Sequence, residues 1–325
     1  MKKLLIGLTA SLLLVACQFE IGLTVPDDYE PIKVVDVGED VVIVPPADED
    51  EGDDVVIVPA DIHTLPPLDT SGALWVVDFD NHSNGTTYTD NVADGDFHFQ
   101  WETISAKAST IVNGRWEMLI PKDQIKKGVH AAKDIVPTES VYFGYEIEFH
   151  PGYDFSTGGK LPGLVGLNKD LKKSNGNQVY PDGCNAYGQG PDEGFSLRSM
   201  FREDGRAIGY FYHQDNPLHN GYCGEEIDYI HNGTPFKFQR GVSYYVETFA
   251  QMNDANEANG IVRIWVNGQL VLERTDMMLG ENRIYDINHL MFYFWHGGSS
   301  SSWAPSVDSL VSFDNVILST TPISH

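Results

Sequence analysis

The segment Phe195-Ser196-Leu197-Arg198-Ser199-Met200-Phe201-Arg202-Glu203-Asp204-Gly205-Arg206-Ala207-Ile208-Gly209-Tyr210-Phe211-Tyr212 carries the side chains best suited to chemistry. It reads as strand, tight turn, strand. Side chains alternate along a strand, so Ser196 and Arg198 share a face, and Tyr210 and Tyr212 share a face. The turn decides whether those faces coincide. A two-residue Asp204-Gly205 turn pairs Glu203 with Arg206 and sets Arg198 opposite Phe211. A three-residue loop, Glu203-Asp204-Gly205, pairs Arg202 with Arg206. Arg198 then lies opposite Tyr210, and Ser196 opposite Tyr212. The three-residue form, a type I turn followed by a left-handed glycine, is a common hairpin. It gathers four polar side chains on one face and is the expected form. Leu197 and Phe211 then point to apolar surroundings. Met200 joins the polar face if alternation holds, which requires a bulge or a partly apolar site.

An arginine flanked by tyrosine and serine on an open sheet face suits a carboxylated sugar. Arg holds a carboxylate through two parallel hydrogen bonds. A uronic acid presents that carboxylate beside a weakly acidic C5 proton, and neutralising it lets charge develop when the proton leaves. A tyrosine can act as base, and the same or a second tyrosine can protonate the leaving oxygen at C4. A free tyrosine has a pKa of about 10, so a neighbouring cation such as Arg198 or a lysine must lower it. This is β-elimination, which needs neither water nor cofactor. The plain alternative is a surface hairpin of ordinary strand residues.

The hairpin needs a sheet around it. From Ala73 onward aromatic residues become frequent, and short alternating runs are separated by Gly, Asn and Asp. Strands are expected at 74–79, 116–120, 141–149, 195–201, 209–213, 244–251, 261–266, 270–274, 290–295 and 310–318. Asn267-Gly268 between two such runs fits a type I′ turn. Helical periodicity is nearly absent. This pattern predicts an all-β antiparallel sandwich or jelly roll, a single catalytic domain over residues 71–325.

The N-terminus is of another kind. Met1-Lys2-Lys3, an apolar run from Leu4 to Ala16 and then Cys17 read as a secretory signal over residues 1–16. The run is too short to span a bilayer. Leu14-Val15-Ala16-Cys17 resembles a bacterial lipobox, which implies lipidation at Cys17. Gln18 in the next position implies the outer membrane, facing the periplasm or the cell surface. Residues 17–70 read as a disordered acidic tether with 15 acidic residues against the single lysine Lys33, because like charges keep such a segment extended. A short repeat, Asp40-Val41-Val42-Ile43-Val44-Pro45 and Asp54-Val55-Val56-Ile57-Val58-Pro59, offers a pair of edge strands as the alternative. The net charge of −26 excludes nucleic acid as a partner by bulk electrostatics. Cys184 and Cys223, an even remainder in an exported chain, are expected to form a disulfide.

Gly158-Gly159-Lys160-Leu161-Pro162-Gly163-Leu164, Ser196-x-Arg198 and Tyr210-x-Tyr212 resemble the alginate lyases of polysaccharide lyase family 14, to which the family 20 glucuronan lyases are related in fold. The resemblance runs from about Trp116 to Leu318. It includes Trp265-Val266-Asn267-Gly268, Phe294-Trp295-His296-Gly297-Gly298, Trp303-Ala304-Pro305 and Phe313-Asp314-Asn315. It implies a jelly roll whose cleft holds Lys160, Ser196, Arg198, Tyr210 and Tyr212. Lys160 and Arg198 would neutralise the carboxylate, the two tyrosines would be the acid–base candidates, and Ser196 would position the sugar or a tyrosine. Leu167 stands where a second glycine is expected after Gly166, and residues 168–191 look inserted. The expected activity is that of a polyuronate lyase acting on alginate, by a monomer with no required cofactor. A glucuronan lyase and a non-catalytic carbohydrate-binding lipoprotein, with Trp295 and Trp303 as sugar platforms, are the alternatives. A hydrolase built on Glu225, Glu226 and Asp228 would need two carboxylates across the cleft. The histidines His213, His219, His231, His289 and His296 show no metal-ligand spacing. A structural calcium ion at Asp314-Asn315 with Asp78 or Asp80 is an allowed addition, although turn hydrogen bonding is the ordinary role of such residues.

Overall fold

The computed structural model describes residues 61–181, 193–215 and 224–325, together with the backbone of three short strands nearer the N-terminus. Cys17, Cys184 and Cys223, and most of the expected tether, lie outside the described residues. The chain divides into two units, Met1–Ala60 and Asp61–His325. In the first, β1 (Lys33–Asp36), β2 (Val41–Val44) and β3 (Val56–Val58) form an antiparallel sheet in that order. Both copies of the valine-rich repeat contribute to it.

The second unit is a sandwich of two antiparallel sheets. One has seven strands in the order β13 (Glu225–Asp228), β12 (Ala207–Tyr212), β11 (Gly194–Arg202), β10 (Gly158–Leu167), β19 (Ile287–His296), β8 (Gly128–Thr138), β5 (Trp101–Ile104). The other runs β18 (Gln269–Met277), β17 (Gly260–Val266), β16 (Ser243–Gln251), β9 (Ser140–Phe149), β20 (Ser309–Ser319), β7 (Arg115–Ile120), β6 (Ala108–Val112), with β4 (Ala73–Val77) also pairing β20. A two-stranded ribbon, β14 (Ile230–His231) and β15 (Thr234–Pro235), one eight-residue helix, α1 (Asp90–Phe97), and two three-residue 3-10 turns, Glu203–Gly205 and Ser301–Trp303, complete the described elements. All ten runs expected to be strands are strands. Residues 61–70 fold with this unit, since Ile62 is buried in its core and the Asn267 side chain donates to the Ile62 carbonyl at 2.9 Å.

The core lies between the two sheets. Leu197, Phe201, Phe211, Leu290, Phe292 and Phe294 face Phe143, Ile147, Phe149 and Phe313 from the other side. Trp116 stacks on Phe292 with ring centroids 5.8 Å apart. Rings of this size bury about 150–250 Å² each, so the aromatic filling dominates the sandwich's stability. The opposite face of the seven-stranded sheet is thereby left to carry chemistry.

Three local devices position that face. The turn between β11 and β12 has three residues, Glu203–Gly205, and pairs Ser196 with Tyr212, Arg198 with Tyr210 and Met200 with Ile208. The register is the expected one, but the turn is not type I followed by one left-handed glycine. Asp204 (φ 55°) and Gly205 (φ 79°) are both left-handed, a conformation that Asp tolerates better than most residues. The second device is a bulge in β10. Lys160 pairs with Met200 and Gly163 with Arg198, so β10 spends one residue more than β11 over the same span. Where pairing resumes after it, Gly163 lies so close to β11 that a Cβ would stand 2.0 Å from the Leu197 carbonyl oxygen and 2.6 Å from the Arg198 Cα. The third device is a clamp at the sandwich edge. Glu225 on β13 lies 2.8 Å from His213 Nε2 and accepts from Arg274 Nη1 of β18, in the other sheet, at 2.9 Å. The hydrogen bond to His213 holds the Glu225 carboxyl below its usual range; burial opposes this and Arg274 assists.

Two outcomes follow from these devices. Gly163→Ala should force β11 away from β10 and lose activity together with thermal stability, measured on the same preparation. Glu225→Gln should lower stability by about 1.5–3 kcal/mol, the range for a hydrogen bond to a charged group. Because the folded-state pKa is depressed, the wild-type contribution is fully present above the unfolded value of about 4.3 and is lost as pH falls through the lower folded value. The variant's denaturation midpoint should therefore converge on the wild type's in acid.

Candidate active site

Arg198, Tyr210 and Tyr212 project from one face of the seven-stranded sheet, and the β10 bulge brings Lys160 to the same face. Lys160 Nζ lies 3.8 Å from the Tyr210 ring centroid and 3.0 Å from Met200 Sδ. Strand alternation holds through Met200, so the site is partly apolar there, with Ile208 beside it. The Tyr210 hydroxyl oxygen accepts the Gly224 backbone N–H at 3.2 Å. Tyr210 and Tyr212 meet edge to face at 5.5 Å.

The Arg198 guanidinium lies between two rings, 5.4 Å from Tyr212 and 5.7 Å from Tyr293. Only 2% of the residue is exposed, and its Nε has no hydrogen-bond partner. Among the described residues no carboxylate pairs with it. The neighbouring arginines differ. Arg202 and Arg206 are both paired with Glu226, and Arg206 is also paired with Asp228. Those acids therefore serve as counterions, and Glu225 belongs to the edge clamp. No two of the three acids are left as a hydrolase pair.

Ser196 is in register with Tyr212 but is fully buried, and its hydroxyl donates to the Pro181 carbonyl at 3.0 Å. It anchors the end of the described part of the inserted segment to the sheet. Tyr180 of that segment accepts the Trp101 indole N–H at 3.1 Å and packs against His289 at 5.4 Å. Lys169, at its start, pairs with Asp134 at 3.0 Å.

Strand β19 adds Tyr293, which the sequence pattern does not mark out, to Trp295, which is expected there only as a sugar platform. Tyr293 flanks Arg198, and Trp295 is the register partner of Lys160. Trp295 stacks on His130 with centroids 5.2 Å apart and planes within 9°. His289 Nδ1 lies 2.9 Å from Asp134, and its buried Nε2 has no hydrogen-bond partner. Burial lowers the His289 pKa, and Asp134 pulls in the other direction. Burial tends to raise the Asp134 carboxyl, but hydrogen bonds from His289 and Lys169 hold it below the usual range. Trp303 packs beside Met200 and the tyrosines, with Arg202 over its ring at 5.2 Å.

Among the described residues, no group of three or more His, Cys, Asp or Glu side chains is placed to hold a metal ion. Asp314 and Asn315 belong to the other sheet. Burial, with Glu146 nearby, raises the Asp314 carboxyl to about 7, and the Asn315 side chain donates to Glu146 at 3.1 Å.

The family model for polysaccharide lyase 14 matches residues 121–316, more than half of the chain. No curated protein matches the sequence. Solved structures share the fold. The alginate lyase Aly36B aligns with a TM-score of 0.61 at 22% identity, over 81% of this chain and 100% of that one. A variant of Aly36B in complex with alginate tetrasaccharide aligns with a TM-score of 0.62 at 22% identity, over 81% and 100% of the two chains. The marine PL-14 alginate lyase from Aplysia kurodai aligns at 0.61 with 19% identity, over 77% and 100%. With its β-jelly-roll sandwich and a family match through the strands that carry Lys160, Arg198, Tyr210 and Tyr212, the chain belongs to polysaccharide lyase family 14.

Proposed function

We propose that the protein cleaves 1,4-linked uronic acid polymers, alginate foremost, by β-elimination. The observation that carries this reading is Arg198, a nearly buried guanidinium between two tyrosine rings with no acid partner among the described residues. A buried charge without a counterion is costly, and a uronate carboxylate supplies the counterion in the geometry Arg favours. Lys160 adds a second cation within the same cluster. With the carboxylate neutralised, a tyrosine oxygen takes the C5 proton. The electron pair of that C–H bond forms the C4–C5 double bond, the C4–O4 bond breaks, and O4 leaves with a proton from the same or the other tyrosine. The products are a new chain end and an unsaturated uronate, and the step consumes neither water nor cofactor. Ser196 contributes to this scheme by fixing the inserted segment behind Tyr212.

We further propose that the mature chain begins at a lipidated Cys17 and is held at the outer membrane, and that Cys184 and Cys223 form a disulfide. The lipobox-like Leu14-Val15-Ala16-Cys17 supports the first and the even cysteine remainder the second. Cys17→Ser should yield protein that is soluble or unprocessed. A free-thiol count of two in the denatured, unreduced wild type would remove the disulfide.

The test of the reaction is the ultraviolet absorbance of the conjugated uronate during incubation with alginate, which neither a binding protein nor a hydrolase would raise. Tyr→Phe removes only the hydroxyl. At the acid–base residue among Tyr210 and Tyr212 it should cost about 10²–10⁴ in turnover, with little change in melting temperature. Arg198→Lys keeps the charge but loses the two-point grip, and should also be strongly damaging. Full activity of both Tyr210→Phe and Tyr212→Phe would overturn the mechanism.

A further inference from the structure

Three lysines gather at the β5 side of the seven-stranded sheet, outside the cluster described above. They line an open cavity of about 400 Å³ with Ser105, Gln124 and Asp308: Lys107, Lys122 and Lys127. Asp308 serves two of them, accepting from Lys107 Nζ at 2.5 Å and from the Lys122 backbone N–H at 2.9 Å. The Lys122 ammonium has an exposed partner, Asp123, at 3.6 Å. Among the described residues no carboxylate pairs with Lys127. Three ammonium groups thus face one lining carboxylate, in a chain whose net charge is −26.

The cavity lies next to strands that carry the cleft face. Lys160 is the register partner of Trp295, Trp295 stacks on His130, and His130 is the register partner of Thr103 on β5. Ser105 follows β5 directly, and its backbone N–H donates to the Gly128 carbonyl at 2.7 Å. On the other flank, His130 Nε2 lies 3.3 Å from the Lys126 carbonyl oxygen, next to Lys127. A polymer laid across the strands from Lys160 over the flat Trp295–His130 stack would reach toward the lysines.

We propose that this cavity is an accessory site for a further uronate of the same polysaccharide chain, remote from the bond that is broken. The proposal rests on the reading of the protein as a polyuronate lyase. Every sugar of such a polymer carries a carboxylate, so a chain held at Arg198 presents more anions along its length. Lysine suits this role because its compact charge and flexible stem tolerate varied ring orientations. Displacing Asp123 from Lys122 costs little, since exposed ion pairs are weak. The patch also offers an otherwise acidic protein a local positive field for drawing in a polyanion, and that field is screened by salt.

The test uses the full chain and two variants, Lys122→Ala/Lys127→Ala and Lys127→Glu. Initial rates of double-bond formation are compared on long alginate and on a purified trisaccharide, at low and high salt. The expected result is a KM for the polymer raised roughly three- to tenfold at low salt, a much smaller change on the trisaccharide, and a difference that closes at high salt. Equal losses on both substrates, or no loss on either, would overturn the accessory site. If the wild type forms no unsaturated uronate, the lyase reading fails instead, and retardation in an alginate-containing native gel decides the cavity alone. Weaker retardation of the variants supports it. Equal retardation, or none for the wild type, overturns it.

Discussion

Arg198 is a charge that the fold has removed from water with no carboxylate paired to it among the described residues. Its neighbours are the rings of Tyr212 and Tyr293, whose negative faces offset part of the desolvation cost but do not replace a counterion. Such a group stays in place only if the backbone beneath it cannot yield. The means are visible on both sides of the strand. Leu197 and Phe201 lock β11 into the aromatic core, and Gly163 lets β10 approach too closely for any side chain to intervene. The stability that holds the cation is therefore supplied by the buried face of the sheet and used on the other.

That division rests on parity. Side chains change faces at every residue, so one residue more or less in the β11–β12 turn would have placed Arg198 and the tyrosines on opposite sides. The three-residue turn was readable because Glu203-Asp204-Gly205 ends in glycine and only an odd loop gathers Ser196, Arg198, Tyr210 and Tyr212 together. Its dihedrals were not readable. Asp204 is left-handed as well as Gly205, and side-chain type alone does not impose that on an aspartate. Lys160 shows the limit of parity from the other direction. Strict alternation would not place both Lys160 and Val165 on the cleft side. The bulge between Lys160 and Gly163 does so, and a bulge leaves little trace in composition. Lys160 could be placed by family likeness and not by pattern.

Strand β19 supplies one cleft residue that the sequence does not single out, Tyr293, and gives Trp295 and His289 surroundings that the sequence does not specify. Tyr293, Trp295 and His289 reach the cleft because β19 inserts between β10 and β8, a pairing made across more than a hundred residues of sequence. Nothing local to Ile287–His296 announces which strand will lie beside it. The spacing of His289 to the other histidines speaks against a metal-ligand role. What defines it is Asp134, directly across the strand pair. Ser196 was placed on the right face, but the inserted segment claims its hydroxyl, a use that depends on where Pro181 ends up.

The arginines of the β11–β12 hairpin show how one ribbon can present a single reactive charge. Arg202 and Arg206 flank the turn, within reach of Glu226 and Asp228 on β13, and both are neutralised there. Arg198 lies four residues back along β11, where the β12 residue opposite it is Tyr210 and the β13 residue beyond is the same Glu226. That glutamate is already engaged by Arg202, and the Tyr210 ring stands between it and Arg198. The edge strand thus disposes of two positive charges that would otherwise compete for an anionic substrate. The third is left on the side of β12 that faces β10 and β19, where Lys160 and the aromatic residues of β19 stand. The single guanidinium left without a paired acid among the described residues is therefore as much a consequence of Glu226 and Asp228 as of Arg198 itself.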